Sequence, residues 1–244
     1  MWWLLMLACG GSPDDKGGTG DTVVDTAVVT AEVVVLETRD GVSLEADYYA
    51  ADSGEVGVVL LHMIPPNWNR TSWPSEFVTR FQKRGWQVLA IDRRGAGNSG
   101  GVAIEAYEGE KGRYDVEAAA AYLREQGAEK MVLIGASNGT TSALDFALWS
   151  VSEEALKTPD ALVMMTGGAY TENNNDFGAL ALGSVMFTYS TEERAWSVAQ
   201  QEHDPGSWLF REVAEGAHGT LMFEAEPSVS EEIETFLATV LGTP

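Results

Sequence analysis

One stretch leaves the chain less freedom than any other. Met131-Val-Leu-Ile-Gly135 runs straight into Ala136-Ser137-Asn138-Gly139 and then into the mostly apolar Thr140–Ser150. A short apolar run of this kind reads as a strand covered on both faces, which belongs in a parallel sheet flanked by helices. The glycines leave only a tight bend before the helix begins. The rest of the chain repeats the alternation. Val33–Glu37 and Ser43–Tyr49 read as strands joined at Asp40-Gly41, a hairpin signal, and Gly57–His62, Trp86–Ile91, Ala161–Thr166, Ser184–Tyr189 and Ser207–Val213 as further strands. Ser75–Lys83 reads as a helix opened by Pro74 and closed by Gly85. Val116, Ala119, Ala120 and Leu123 fall at helical spacing before Gly127. Helices are also expected from about Glu192 to Gln201 and at the end, where Ser228 and Glu231 suggest a capping box ahead of Ile233, Phe236, Leu237 and Val240. The expected fold class is α/β: a mostly parallel eight-stranded sheet flanked by helices.

With 244 residues, 45% of them hydrophobic, the chain can bury one large core. Its 37 Asp and Glu against 15 Lys and Arg give a net charge of -22. So acidic a surface repels phosphate backbones and anionic lipid, which sets nucleic-acid partners aside. Residues 10–20, GGSPDDKGGTG, cannot bury enough apolar surface to fold and read as a flexible linker. The organisation is therefore 1–8, an apolar N-terminus; 9–30, linker; and 31–244, one folded domain. The single cysteine, Cys9, excludes an intrachain disulfide. Met-Trp-Trp-Leu-Leu-Met-Leu-Ala-Cys9 resembles a bacterial lipoprotein signal. That resemblance implies lipidation at Cys9, a cell-envelope location and a membrane contact made only through the lipid. The alternatives are an incidental apolar N-terminus on a secreted or periplasmic protein, or a displaced start.

Gly135-Ala136-Ser137-Asn138-Gly139 matches G-x-S-x-G, but so does Gly97-Asn98-Ser99-Gly100-Gly101. Context separates them. Ser137 stands between a strand and a helix, the setting that exposes a nucleophilic hydroxyl, whereas Ser99 lies in a polar glycine-rich loop. Two further landmarks accompany Ser137. One strand ends in His62, and Asp92-Arg-Arg-Gly-Ala-Gly-Asn-Ser99 follows another. With these, residues 31–242 resemble the α/β-hydrolase superfamily, and in particular its dienelactone-hydrolase and esterase-like members with a minimal lid. In that resemblance the Asp92–Ser99 loop is structural, and a nucleophile, an acid and a histidine follow in chain order.

A serine needs a base that is neutral near pH 7, so histidine is the first candidate. Of the three, His62 ends a buried strand, His203 lies in a polar connection, and His218 lies in the loop before the last helix. The resemblance places the base at His218. It places the acid after the seventh strand, where Glu193 fits best; Glu192 stays open, and Asp176 is an outside option. A helix start also favours glutamates for its dipole alone. The oxyanion donors are expected to be the N–H groups of Asn138 and Met63, although Met63-Ile-Pro-Pro66 is bulkier than the family's usual His-Gly.

The expected chemistry is hydrolysis of a small carboxylic ester, or a related acyl bond, through an acyl-enzyme on Ser137. Only about sixteen residues, Gly168–Gly183, are left where a lid is usually inserted, so an open site is expected, with Trp68, Trp73, Tyr170 and Phe177 as candidates to line it. The partner is a small acyl substrate. No cofactor is expected, and no metal, because the three histidines lack ligand spacing. A peptidase of the same fold and a non-catalytic surface protein that keeps the fold are the alternatives.

Overall fold

The computed structural model describes residues 30–213 and 217–243. Segment 1–29, with Cys9, lies outside the described residues. One eight-stranded sheet organises the rest: β1 Glu32–Glu37, β2 Ser43–Tyr49, β3 Val56–Leu61, β4 Gln87–Ile91, β5 Lys130–Ala136, β6 Ala161–Met165, β7 Val185–Ser190 and β8 Leu209–Val213, in the spatial order β1-β2-β4-β3-β5-β6-β7-β8. β2 runs antiparallel to β1 and β4, and the pairs from β4 across to β8 are parallel. Because β3 lies between β4 and β5, successive connections leave it to opposite sides. Such a reversal opens a crevice at the carboxyl ends of the strands.

Alternation along the strands splits the core into two layers. Val56, Val58 and Leu60 of β3 face one side, where they meet Phe77, Val78 and Phe81 of α1 (Ser75–Lys83) and Ile233, Phe236 and Leu237 of α6 (Ser228–Leu241). Val59 and Leu61 face the other side, towards α2 (Gly112–Glu125) and α3 (Gly139–Ser152). α3 is buried almost all round, its polar Thr140, Thr141, Ser142 and Asp145 included, because it packs against both the sheet and α2. Two short helices complete the set, α4 (Arg194–Ala199) and α5 (Met222–Ala225). Between β6 and β7 stand only two 3₁₀ turns, Glu172–Asn175 and Phe177–Ala179, and no cap domain.

Two sequence expectations need correction. The helix expected over Glu192–Gln201 is α-helical only at Arg194–Ala199, with 3₁₀ turns on both sides. The capping box at Ser228 is not formed. Pro227 is already helical, with φ -58° and ψ -22°, which puts Ser228 inside the first turn. Its hydroxyl instead bonds Glu232 at 3.1 Å.

Candidate active site

The elbow after β5 is tight for a steric reason. A Cβ on Gly139 would lie 2.2 Å from the Leu61 carbonyl oxygen, and one on Gly135 would lie 2.7 Å from the Gly139 backbone. Only glycine lets α3 start so close to β3. The bend forces Ser137 to φ 51°, a left-handed conformation that costs a non-glycine residue on the order of 1–3 kcal/mol. Its N–H donates to the Met165 carbonyl at 2.7 Å, so the strained residue is fixed to β6.

Three distant loops meet here. Ser137 Oγ lies 2.8 Å from His218 Nε2. His218 Nδ1 lies 2.8 and 3.0 Å from the two Glu193 carboxylate oxygens. These partners fix the tautomer: Nδ1–H donates to Glu193, and Nε2 accepts from the serine hydroxyl. Glu193 follows β7, and His218 lies beyond β8. Glu193 makes no side-chain cap bond to α4, so its carboxylate is committed to the imidazole rather than to the helix start. Thr191 does not cap α4 either: it stands inside the 3₁₀ turn Thr191–Glu193 ahead of the helix, and its hydroxyl donates to Glu212 at 2.8 Å.

The other sequence candidates stand elsewhere. Glu192 and Asp176 are exposed, and His203 packs beside Gly178 with its ring 3.3 Å from Glu202. Ser99 has both hydrogen-bonding roles filled: it donates to the Asp92 carbonyl at 2.6 Å and accepts from Glu45 N–H at 2.9 Å. Trp73 and Phe177 belong to the core, not to an open site. Trp68 lines a groove of about 370 Å³ with Phe77, Leu221 and Phe223, rimmed by Glu76 and Glu224. Among the described residues, no cluster of His, Cys, Asp or Glu is placed to hold a metal ion.

Glu193 and Glu192 are separable by experiment. Glu193→Gln keeps the shape but leaves Nδ1–H facing an amide. An acid this exposed, at 44% of its side chain, is partly replaced by water. We expect kcat to fall by about 10- to 100-fold, less than the roughly 10⁴-fold typical of a buried acid. Glu192→Gln should stay within about twofold on the same p-nitrophenyl ester, since an exposed side chain without a role costs little. Equal losses would reassign the acid.

One cation behind the elbow was not visible in the sequence reading. Arg93 is completely buried. Its Nη2 donates to the Met63 carbonyl at 2.9 Å and to Asn138 Oδ1 at 2.5 Å, and its Nη1 to the carbonyls of Asn138 and Ala106, each at 3.2 Å. Burial pulls its pKa down to about 10. His62 completes the arrangement. Its Nε2 accepts Arg93 N–H at 3.0 Å, so its Nδ1–H donates to the Met63 carbonyl at 2.7 Å. Desolvation, then the Arg93 charge, holds this imidazole well below the usual histidine range. The next residue, Arg94, is equally buried and anchors the Asp92–Ser99 loop through Asp115 and Asp40, both at 2.9 Å.

Comparisons with known proteins agree with this architecture. A family model described as serine aminopeptidase, S33, matches residues 69–211, more than half of the chain. That span holds Ser137 and Glu193 and stops short of His218. A 2-hydroxy-6-oxononadienedioate/2-hydroxy-6-oxononatrienedioate hydrolase of Burkholderia vietnamiensis is 31% identical over 150 residues, 61% of this chain. The match spans about half of that protein, 48%. Among solved structures, an esterase of Pyrococcus furiosus superposes with a TM-score of 0.66 at 18% identity, covering 86% of this chain and 91% of that one. An α/β serine hydrolase without lid from Xanthomonas campestris gives 0.61 at 13% identity, covering 88% and 94%. Identities so low speak to the fold alone. With the family match and the eight-stranded sheet together, the chain belongs to the serine aminopeptidase S33 family of α/β-hydrolases.

Proposed function

We propose that this hydrolase cleaves small carboxylic esters through an acyl-enzyme on Ser137. The observation that carries the reading is the continuous hydrogen-bonded path from Ser137 Oγ through His218 to Glu193. As Ser137 Oγ attacks the ester carbonyl, its proton passes to His218 Nε2, and Glu193 stabilises the resulting imidazolium. His218 then protonates the departing alkoxide. Water, deprotonated by the same nitrogen, attacks the acyl-enzyme and regenerates the serine.

The oxyanion is held by Asn138 N–H and a second donor from the loop after β3. Met63 N–H is the expected donor. Ile64 N–H is the alternative, because it lies on the opposite edge of the trans peptide whose carbonyl Arg93 and His62 hold, and so faces away from them. A fluorophosphonate probe tests the assignment, since it should label the protein and spare Ser137→Ala. A folded wild type that takes no label would instead favour the non-catalytic reading. The family description supports peptidase activity as a second reading, and aminoacyl-naphthylamides set against p-nitrophenyl esters decide between them.

Charge gives a narrower expectation. Glu76 and Glu224 rim the groove beside the His218 loop, and the whole chain carries -22. An anionic acyl chain is therefore repelled, unlike the dioate for which the Burkholderia hydrolase is named. A neutral p-nitrophenyl ester should show a kcat/KM roughly three- to tenfold above its carboxylate-bearing analogue, the worth of one partly screened repulsion. The gap should shrink between 20 and 500 mM salt, buffers chosen to change the Debye length about fivefold. A preference for the anionic ester would overturn this view of the substrate.

A further inference from the structure

Among the described residues, two non-glycine positions have a positive φ: Ser137 at 51° and Thr166 at 50°. They stand side by side, at the carboxyl ends of the paired strands β5 and β6. The elbow accounts for Ser137. Thr166 needs its own explanation, because a β-branched residue is crowded in this region and glycine would sit there without cost. Such strain persists only where surrounding contacts impose it, and it gathers at functional sites.

The contacts of Thr166 point one way. It is buried, and its N–H donates to the Thr188 carbonyl at 2.7 Å, which ties its backbone to β7. Its side-chain oxygen accepts the N–H of Gly219 at 3.1 Å. Gly219 directly follows His218 and has no slack of its own. It has φ +52°, and a Cβ there would lie 2.3 Å from Met63 Sδ. The His218 side chain is 36% exposed, so packing alone does little to hold the ring. The loop must be held through its backbone, and the end of a buried central strand is a rigid place to hold it from.

We propose that Thr166 is a positioning residue whose hydroxyl holds the 217–219 loop so that His218 reaches Ser137 and Glu193 together. The proposal rests on reading Ser137 and His218 as nucleophile and base. It assigns the strained backbone a purpose: at this φ the chain has left the extended path of β6, and the side chain serves the loop instead of the pleat.

Three variants separate hydroxyl, shape and strain. Thr166→Val keeps the branched shape and removes the acceptor. Its kcat on a p-nitrophenyl ester should fall by about 10- to 100-fold with KM within about twofold, the pattern of an interaction made for the transition state alone. Thr166→Ser restores the acceptor and should return kcat to within about threefold of wild type. Thr166→Gly removes the acceptor while relieving φ, so it should lose activity as Val does yet melt no lower than wild type. A second readout does not depend on turnover: the downfield proton resonance of His218 Nδ1–H, hydrogen-bonded to Glu193, should persist in Ser and shift or broaden in Val and Gly. If Val does not fold, the Ser and Gly pair decides. Unchanged kcat and resonance in the folded Gly variant would overturn the proposal, as would a Ser variant as impaired as Gly. If the wild type neither hydrolyses esters nor takes a fluorophosphonate, the catalytic reading fails, and the ring-proton resonance still tests Thr166.

Discussion

Ser137→Ala will remove nearly all turnover, lowering kcat by about 10⁶-fold and leaving only the residual acceleration that binding and oxyanion stabilisation give without a nucleophile. The structure makes this a clean experiment. Among the described residues the hydroxyl's side-chain partner is His218, at 2.8 Å, and the backbone strain at φ 51° is the same for alanine as for serine. Melting should therefore move little, within about 0.5 kcal/mol, as for substitutions that disturb no core packing. His218→Ala should cost nearly as much as Ser137→Ala, and the double variant no more than either alone, because a nucleophile without its base is as inert as a base without its nucleophile. Burst kinetics with a p-nitrophenyl ester and intact-mass detection of the acyl adduct give the direct check. A Ser137→Ala protein that keeps more than about 1% of wild-type kcat would remove Ser137 from the mechanism, since no other serine at the elbow can replace it.

What could be read from the sequence followed from local patterns. Continuous apolar runs such as Gly57–His62 and the helical spacing of Val116, Ala119, Ala120 and Leu123 record burial directly, and the structure buries all of them. The elbow was legible because its glycines answer a steric demand that any chain making this bend must meet. Ser137 and Ser99 could be told apart in the sequence because one stands directly between a strand and a helix and the other well inside a polar glycine-rich loop. The missed features depend on partners far away in the chain. Nothing local at Ser228 reveals that Pro227 is already helical and displaces the cap. Nothing around Thr166 signals a positive φ, since the sequence there is an ordinary strand end. Trp73 and Phe177 could be placed in the core or at the site only once their neighbours were known. Arg93 was the most hidden, because the resemblance reads the Asp92–Ser99 loop as structural and gives this residue no role of its own. Its partners are 30 residues back at Met63 and 45 residues ahead at Asn138.

Arg93 also gives the second large effect, because activity and stability should respond to its loss by very different amounts. Its guanidinium bridges the two segments expected to carry the oxyanion donors, gripping the Met63 carbonyl on one and Asn138 on the other. In Arg93→Met the buried acceptors are not all abandoned. The Met63 carbonyl keeps His62, the Ala106 carbonyl keeps Ser142, and the Asn138 carbonyl keeps Thr141 N–H; Asn138 Oδ1 and Ser142 Oγ lose the donor that Arg93 gives them. Removing the cation also removes the desolvation cost that pulls its pKa to about 10. The net loss of stability should then be about 1–3 kcal/mol, the cost of one or two buried acceptors left unpaired. Catalysis has no such compensation. Once the bridge is gone the spacing of the two donors is no longer fixed, and kcat should fall by about 10²- to 10³-fold, as when one oxyanion donor is lost. Ground-state binding should change little, so KM stays near wild type while affinity for a phosphonate analogue of the tetrahedral intermediate drops with kcat. Arg93→Lys should recover only part of the rate, because a point charge on a flexible stem cannot hold both segments as the planar fork does. A folded Arg93→Met protein with kcat within about threefold of wild type would show that the elbow and the Met63 loop keep their spacing without the bridge, leaving Arg93 a role in packing alone.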